Sequence, residues 1–513
     1  MKKIVFVSTT FLLTLFCIAQ QNIMIDNNGS PNEPSIAINP NNTNQLVAGS
    51  NINKVYRSND GGLTWTKSTL TSSYGVWGDP AIVADNNNNF YFTHLSNPTS
   101  GNFLDRIVCQ KSTNAGSTWS NGSFAGLTTN KEQDKQWISF DPINNNLYMS
   151  WTQFDSYGST DPSDKTIILF SKSTDFGLTW STPIKLNEVD GSCIDNSTTV
   201  EGAVPAPGPS GQVYVAWSGP NGLVFKKSLD QGVTWSTTET QIIATHEWDF
   251  AIPGIDRCNG MPITICDLSP STHHGTIYVN WADQSNGAND TDIFLSKSTD
   301  GGTTWSSPLR VNNDAPGKHQ FLSWMALDQT NGYIYIVFYD RRNYTNNNTD
   351  VYLAYSTDGG NTFTNTKIST TSFLPTSSVF FGDYTNIVAH NGVIRPIWTR
   401  LASGQTSVWT AILSQSQLDA KEFETQDDNT TILNYPNPVE EDCYFAFKLY
   451  KESPVSITIY DLTGKEVYKV LENKTYPMGK HLVSIKSNLL KKGEYVYVVQ
   501  SDYYKKSKKL IVE

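Results

Sequence analysis

An all-β ring of repeated four-stranded units, a β-propeller, is the fold class that this 513-residue chain predicts. Three observations carry it: one short motif that recurs six times, brief alternating apolar runs between the copies, and turn residues at every break. The copies are Ser58-Asn-Asp-Gly-Gly-Leu-Thr-Trp65, Ser112-Thr-Asn-Ala-Gly-Ser-Thr-Trp119, Ser173-Thr-Asp-Phe-Gly-Leu-Thr-Trp180, Ser228-Leu-Asp-Gln-Gly-Val-Thr-Trp235, Ser298-Thr-Asp-Gly-Gly-Thr-Thr-Trp305 and Ser356-Thr-Asp-Gly-Gly-Asn-Thr-Phe363. Their start-to-start spacings are 54, 61, 55, 70 and 58 residues. A period of that size marks an array of one supersecondary unit, a propeller or a solenoid.

Each unit can be read around its motif. In the third, Trp137-Ile-Ser-Phe140, Leu147-Tyr-Met-Ser-Trp151 and Ile167-Ile-Leu-Phe170 are separate short runs, and Thr179-Trp-Ser181 opens a fourth. Period-2 runs split by turn residues are antiparallel strands, and four per unit is a propeller blade. Within the motif, Gly supplies positive φ and Asp bonds nearby backbone N–H groups, so the motif itself reads as a hairpin turn. Its Trp is an apolar wedge between neighbouring sheets, with the indole N–H as an anchor. Second strands number one more than motifs, the seventh at Val393-Ile394. That last unit, about Tyr384 to Leu413, has three strands and no motif, and Asn22-Ile-Met-Ile-Asp26 from the start of the mature chain can complete it. Such closure removes exposed sheet edges. The expectation is seven blades, with six as the alternative.

The motif resembles the Asp-box of sialidase-like propellers, with Asp60, Asn114, Asp175, Asp230, Asp300 and Asp358 at the position that names it. The resemblance spans about residues 22 to 414. It implies that the box hairpins lie on the face away from the active site, so the opposite face carries the loops leading into each first strand and leaving each second strand. The leading loops bring Asn32-Glu-Pro34, Trp77-Gly-Asp-Pro80, Asp134-Lys-Gln-Trp137, Val200-Glu-Gly202, Arg257-Cys-Asn259, Lys318-His-Gln320 and Gly382-Asp-Tyr384. The others bring His94, Asp155, Asp283, Tyr339-Asp-Arg-Arg342 and Arg400. A funnel of carboxylates, guanidinia and aromatics is where a propeller binds a ligand. Packed together, such groups shift one another's pKa values.

Sialidases use three Arg for the sugar carboxylate, an Asp as acid/base, and a Tyr nucleophile activated by a Glu. The resemblance matches Asp79 to the acid/base, Glu201 to the base, Tyr384 to the nucleophile, and Arg257 and Arg341 to the carboxylate grip. Arg342, Arg400, His319 and Asp383 complete the expected binding set. One element is missing: Asn32-Glu-Pro34 stands where sialidases carry Arg-Ile-Pro, and Glu33 would repel a carboxylate. Three functions remain open. The first is a secreted sialidase-superfamily glycoside hydrolase acting on extracellular glycans, acidic ones included. The second is a non-catalytic propeller binding glycan or protein. The third is a uronate lyase working through His319 and Tyr384, with Arg342 neutralising the acid. Trp77, Trp137 and Trp324 suit either sugar stacking or the core.

Both ends of the chain are addresses. Met1-Lys-Lys3 with the apolar run Ile4 to Ile18 reads as a signal peptide over residues 1–20. No other stretch approaches the roughly 18 apolar residues of a membrane span. The propeller is expected over residues 21–414, a linker over 415–429 and a last domain over 430–513. Asn434-Tyr-Pro-Asn-Pro438, Ile459-Tyr-Asp-Leu-Thr-Gly-Lys-Glu-Val467, Gly493-Glu-Tyr-Val496 and Lys508-Lys-Leu-Ile-Val-Glu513 resemble a type IX secretion sorting domain. It reads as a small β-sandwich, and it implies engagement of the type IX machinery and a secreted or cell-surface location. Of 37 basic and 48 acidic residues, 13 Lys and 12 acidic ones lie from Asp427 onward, leaving 24 against 36 in the rest. So acidic a propeller lacks the basic stripe that nucleic acid needs. Cys109, Cys193, Cys258, Cys266 and Cys443 follow the signal segment, and one disulfide among Cys193, Cys258 and Cys266 is expected. No spacing forms a zinc site, so no cofactor is expected beyond calcium held by loops.

Overall fold

The structure is a computed structural model that describes residues 21–100, 102–418, 432–439, 442–449 and 451–513. The signal segment and most of the linker lie outside the described residues. Residues 21–418 contain seven antiparallel sheets of four strands, the third carrying a fifth short strand at Gly191–Ser192. Their first strands are Ser35–Asn39, Ala81–Ala84, Glu132–Asp141, Glu201–Pro207, Ile263–Cys266, Gln320–Asp328 and Asn386–His390. Each packs against the next, and the last packs against the first. The arrangement is the all-β ring of a propeller. Residues from all seven first strands line an axial channel of about 370 Å³, among them Ile36, Val83, Phe140, Val204, Ile263, Met325 and Ile387.

Period-2 patterning alone would leave one face of each strand wet. In the second strand of the third sheet, Asn146–Phe154, every residue is buried, because the sheet has a neighbour on both faces. Trp151, Trp217, Trp281 and Trp398 are fully buried on second strands of four different sheets. Each contributes roughly 1.5–3 kcal/mol or more of apolar burial. The first strand among the described residues, Gln21–Asp26, pairs antiparallel with Gln405–Ser414, placing Asn22 opposite Ala411 and Met24 opposite Trp409. It supplies the fourth strand that the seventh sheet lacks.

The six repeated hairpins share one hydrogen-bond pattern. In the first, Gly62 N–H donates to Ser58 Oγ at 2.9 Å, while the Thr64 N–H and hydroxyl donate to Asp60 Oδ1 and Oδ2 at 2.9 and 2.6 Å. The same bonds recur around Asp175, Asp230, Asp300 and Asp358. At Asn114 the amide keeps the backbone bond but donates to the Thr118 hydroxyl instead of accepting from it. The indole anchor is realised at two of the five Trp: Trp65 donates to Gly62 O and Trp180 to Ser123 Oγ, both at 2.9 Å. Trp119, Trp235 and Trp305 have no acceptor. Their hold is aromatic: Trp235 meets Phe170 of the preceding sheet at 4.8 Å and Trp305 meets Phe225 at 5.1 Å. Ring contact suffices where the wedge is already enclosed.

The expected disulfide is absent: Cys109, Cys193, Cys258, Cys266 and Cys443 are all free and buried. Cys258 is instead enclosed beside Asn259, and Cys266 sits in the first strand of the fifth sheet. In the C-terminal segment, a three-stranded and a four-stranded sheet share one apolar core, with Phe445 and Tyr497 in edge contact at 4.9 Å. Among the described residues no helix is long and apolar enough to cross a membrane.

Candidate functional site

Because strands alternate in direction, the repeated hairpins lie at one end of the ring and the leading loops at the other. The leading loops share a local device. Two residues before the regular part of five of the seven first strands, the backbone enters the left-handed region: Glu33 (φ 51°), Asp79 (52°), Lys135 (51°), Gly202 (79°) and Leu322 (49°). Register breaks in the same places, between Asp134 and Trp137, Glu201 and Val204, and Phe321 and Trp324. Such bulges re-aim side chains at strand ends, and non-glycine residues hold this conformation only where their surroundings fix it.

Asp383 is the hub. Its Oδ2 accepts from Lys135 Nζ at 2.6 Å, its Oδ1 accepts from Arg257 Nε at 2.7 Å, and Arg257 Nη2 closes the second arm of the fork. Its own N–H donates to Glu33 Oε1 at 3.0 Å and its carbonyl accepts from Asn259 Nδ2 at 3.0 Å. One residue of the loop leading into the seventh sheet thereby ties side chains at the mouths of the first, third and fifth together. Burial alone would raise this carboxyl, but Lys135 and Arg257 hold it down at about 2. Glu33 has no cation of its own: Asn51 Nδ2 donates to Oε2. Burial, reinforced by Asp79 and Asp383, pushes its carboxyl well above the usual range.

Around this hub opens a cavity of about 510 Å³ whose wall includes Asn32, Glu33, Trp77, Asp79, Phe103, Glu132, Asp134, Lys135, Tyr157, Arg257 and Phe380. A smaller one of about 180 Å³ shares Lys135 and Arg257 with it and is otherwise lined by Asp195, Trp248, Asp249, Cys258, Asn259 and Asp383. Asp79 presents Oδ2 to Lys135 Nζ at 3.6 Å, and its N–H donates to Asn51 Oδ1 at 2.8 Å. Asp134 Oδ1 accepts the Lys135 N–H at 2.7 Å. Burial, with Lys135 opposing and Asp79 adding, lifts the Asp134 carboxyl to about 7. Near neutral pH the wall thus combines a proton-holding carboxyl with the ionised Asp383 behind it.

The expected residues divide into those gathered here and those held elsewhere. Asp79, Asp383 and Arg257 meet at the cavity and its hub. Tyr384 is buried beneath it, its ring edge-on to Trp137 at 5.0 Å. Its phenol is pushed up by burial first, then by Asp79 and Glu33. Glu201 is buried too, pushed up by burial and by Asp195 and Asp134. Neither carboxyl oxygen of Glu201 has a hydrogen-bond partner, so Glu201 makes no bond to the Tyr384 phenol. Trp137 and Trp324 belong to the core, 4.2 Å apart, and Trp77 alone of the three is exposed, at 42%.

The other expected Arg and the His are engaged away from the two cavities. Arg341 is buried, donating to Pro253 O at 2.7 Å and to Thr349 Oγ1 at 3.1 Å, over the ring of Phe321. Arg342 pairs with Asp340, donates to Asn313 and Asn365, and stacks on Tyr352. Arg400 lies over Trp409 and donates to Ser372 O at 3.3 Å. His319 Nδ1 pairs with Thr291 Oγ1 at 2.9 Å, and burial and Arg341 lower its pKa to about 4. None of these four lines either cavity, so the three-arginine grip and the His319–Tyr384 pair do not form. Sequence reasoning missed the parts played by Lys135, Asn51, Tyr157 and Asp195. Lys135 had one signal, its place inside the polar run Asp134-Lys-Gln, but nothing there shows that it turns inward. Among the described residues no group of His, Cys, Asp and Glu is placed to hold a metal ion.

Residues 434–513 match the secretion system C-terminal sorting domain. The tail is therefore a type IX sorting signal, and it directs the protein to the cell surface or the extracellular space. Among solved structures the chain is similar to sialidase-like propellers, of which three serve as examples. The NanB sialidase from Streptococcus pneumoniae is 9% identical with a TM-score of 0.44, over 73% of this chain and 83% of that one. Trypanosoma rangeli sialidase is 9% identical at 0.43, over 96% and 89%. A PL25 ulvan lyase is 11% identical at 0.45, over 78% and 99%. No curated protein matches the sequence.

Proposed function

We propose that residues 21–418 are a closed seven-bladed propeller, that the tail is a small β-sandwich removed from the catalytic work, and that the protein is an exported glycoside hydrolase acting at the 510 Å³ cavity. The observation that carries this reading is the pairing on one wall of Asp134, a carboxyl lifted to about 7, with Asp79, whose Oδ2 accepts no hydrogen bond. Glycoside hydrolysis needs two such groups. Asp134 gives its proton to the glycosidic oxygen as the C–O bond breaks. Asp79 takes a proton from the water that attacks the anomeric carbon, and the two carboxyls then exchange protons with solvent. Glu201 and Tyr384 do not line the cavity, so in this reading they set the potential behind Asp134 and Asp79. The test is release of reducing ends from a glycan panel. Asp79→Asn and Asp134→Asn should each cut turnover by about 10²-fold or more with the fold retained. Undiminished turnover in both would remove the hydrolase reading.

A second reading, glycan binding without turnover, is favoured by the engagement of Lys135 and Arg257 with Asp383, which leaves the hub rigid and internally satisfied. Saturable binding with no product from any glycan would select it.

A further inference from the structure

The cavity's hydrogen-bonding inventory points to the kind of sugar it takes, an inference that rests on the glycan reading above. Four carboxyl groups face it, Glu33, Asp79, Glu132 and Asp134, of which burial pushes Glu33 and Asp134 toward their protonated forms, beside two cations. Both cations are already held: Lys135 donates to Asp383 at 2.6 Å, and Arg257 grips Asp383 through Nε and Nη2 while Nη1 donates to Tyr157 OH at 3.2 Å. The buried wall atoms left without a hydrogen bond are acceptors. Asn32 is only 8% exposed, its Nδ2 donates to Phe380 O at 3.2 Å, and its Oδ1 has no partner. Asp79 Oδ2 is the other. Beside them Trp77 and Phe103, 42% and 43% exposed and in edge contact at 5.1 Å, offer apolar area.

A ligand carboxylate or sulfate ester brings further acceptors and negative charge to a wall whose two cations are already paired with Asp383. A sugar hydroxyl brings a donor, and the C–H face of the ring covers an aromatic. We propose that this cavity takes a sugar residue without anionic substituents, bound by hydroxyl donation to Asn32 Oδ1 and Asp79 Oδ2 with its apolar face on Trp77 and Phe103. Sialic acids, uronates and sulfated sugars are excluded by unpaired acceptors facing acceptors, a mismatch that binding sites discriminate strongly.

The test uses the full chain and matched pairs of oligosaccharides: lactose against sialyllactose, and cello-oligosaccharides ending in glucose against the same ending in glucuronate. Binding is read by calorimetry and turnover by reducing-end release. The uncharged member should be preferred at least tenfold in Kd or kcat/KM. Trp77→Ala, an exposed change that leaves the core intact, should weaken it by a further tenfold, and Asn32→Leu should do the same. Equal or stronger recognition of the anionic members overturns the inference while leaving the glycan reading in place. Failure of every member of every pair to bind rejects both.

Discussion

The two ends of the ring satisfy aspartate from different distances along the chain: Asp383 on the loop end is held at about 2 by Lys135 and Arg257, far from it in sequence. On the hairpin end, hydrogen bonds from the Thr234 hydroxyl and backbone hold Asp230 at about 2. At Asp358 burial pulls upward, but bonds from Thr362 and Ser356 outweigh it, and the carboxyl again falls to about 2. On the loop end, Asp134 rises to about 7 because burial outweighs its one strong cation. The difference is where the partners come from. A hairpin aspartate is satisfied within four residues of itself, so the turn is complete before the ring closes. A loop-end carboxyl depends on side chains from other sheets and keeps whatever imbalance their packing leaves. The end with local satisfaction is suited to holding the fold, and the end with imbalance is suited to chemistry.

The sharpest way to break this contrast is at the hub. Removing Asp383 takes from Lys135, only 5% exposed, its close ion partner and leaves Asp79 at 3.6 Å. Loss of one partner from a buried ion pair costs about 3–5 kcal/mol. Asp383→Ala should therefore lower stability by that amount in denaturant unfolding, and the 510 Å³ cavity should lose its ligand binding with it. A loss below about 1 kcal/mol would mean that the four sheets are not joined through this residue.

Much of the hairpin end was legible in the sequence, and little of the loop end was, for the same reason. Ser58, Asp60, Gly62 and Thr64 bond to one another, so the pattern that makes the turn is written in adjacent letters. Strand order followed from alternation, and closure by Asn22 to Asp26 followed from a unit that lacked a strand. At the loop end, alternation placed Asp79, Arg257 and Asp383 at one mouth but could not pair them. Lys135 and Asp383 are 248 positions apart, and Glu33 and Asp383 are 350 apart. Arg257 and Arg341 look equivalent in the sequence. The carbonyl of Pro253, brought over by the long insertion before the fifth sheet, and the Thr349 hydroxyl hold Arg341 in the interior. Inward-turning bulges such as that at Lys135 leave no periodic trace.

A second test uses pH. Asp134 has its ordinary value of 3.8 when unfolded and about 7 when folded, so between those values the folded state holds the extra proton. Its contribution to stability is complete below about pH 4 and is lost as pH rises to 7, at about 1.4 kcal/mol for each unit of the difference. Asp134→Asn should flatten that part of the stability curve. If the proton also serves as the catalytic acid, wild-type turnover should fall as pH rises through about 7. A stability curve of the same slope in Asp134→Asn and wild type would place the raised carboxyl elsewhere.

The smallest effect should come from the hairpin end, and its sign should be reversed. Asp358 accepts from the Thr362 N–H at 3.0 Å and hydroxyl at 2.7 Å, and the turn is partly open to water. Asp358→Ala should cost about 1 kcal/mol at neutral pH, the net worth of one or two such bonds. Its folded value lies near 2, below the ordinary 3.8, so the contribution is present above pH 4 and disappears as pH falls through 2. Wild type and Asp358→Ala should therefore converge in stability on acidification, where Asp134→Asn and wild type differ in slope between pH 4 and 7. Five further hairpins carry the same load, so the loss stays local to one blade. A cost at Asp358 as large as that at Asp383 would erase the division between the two ends.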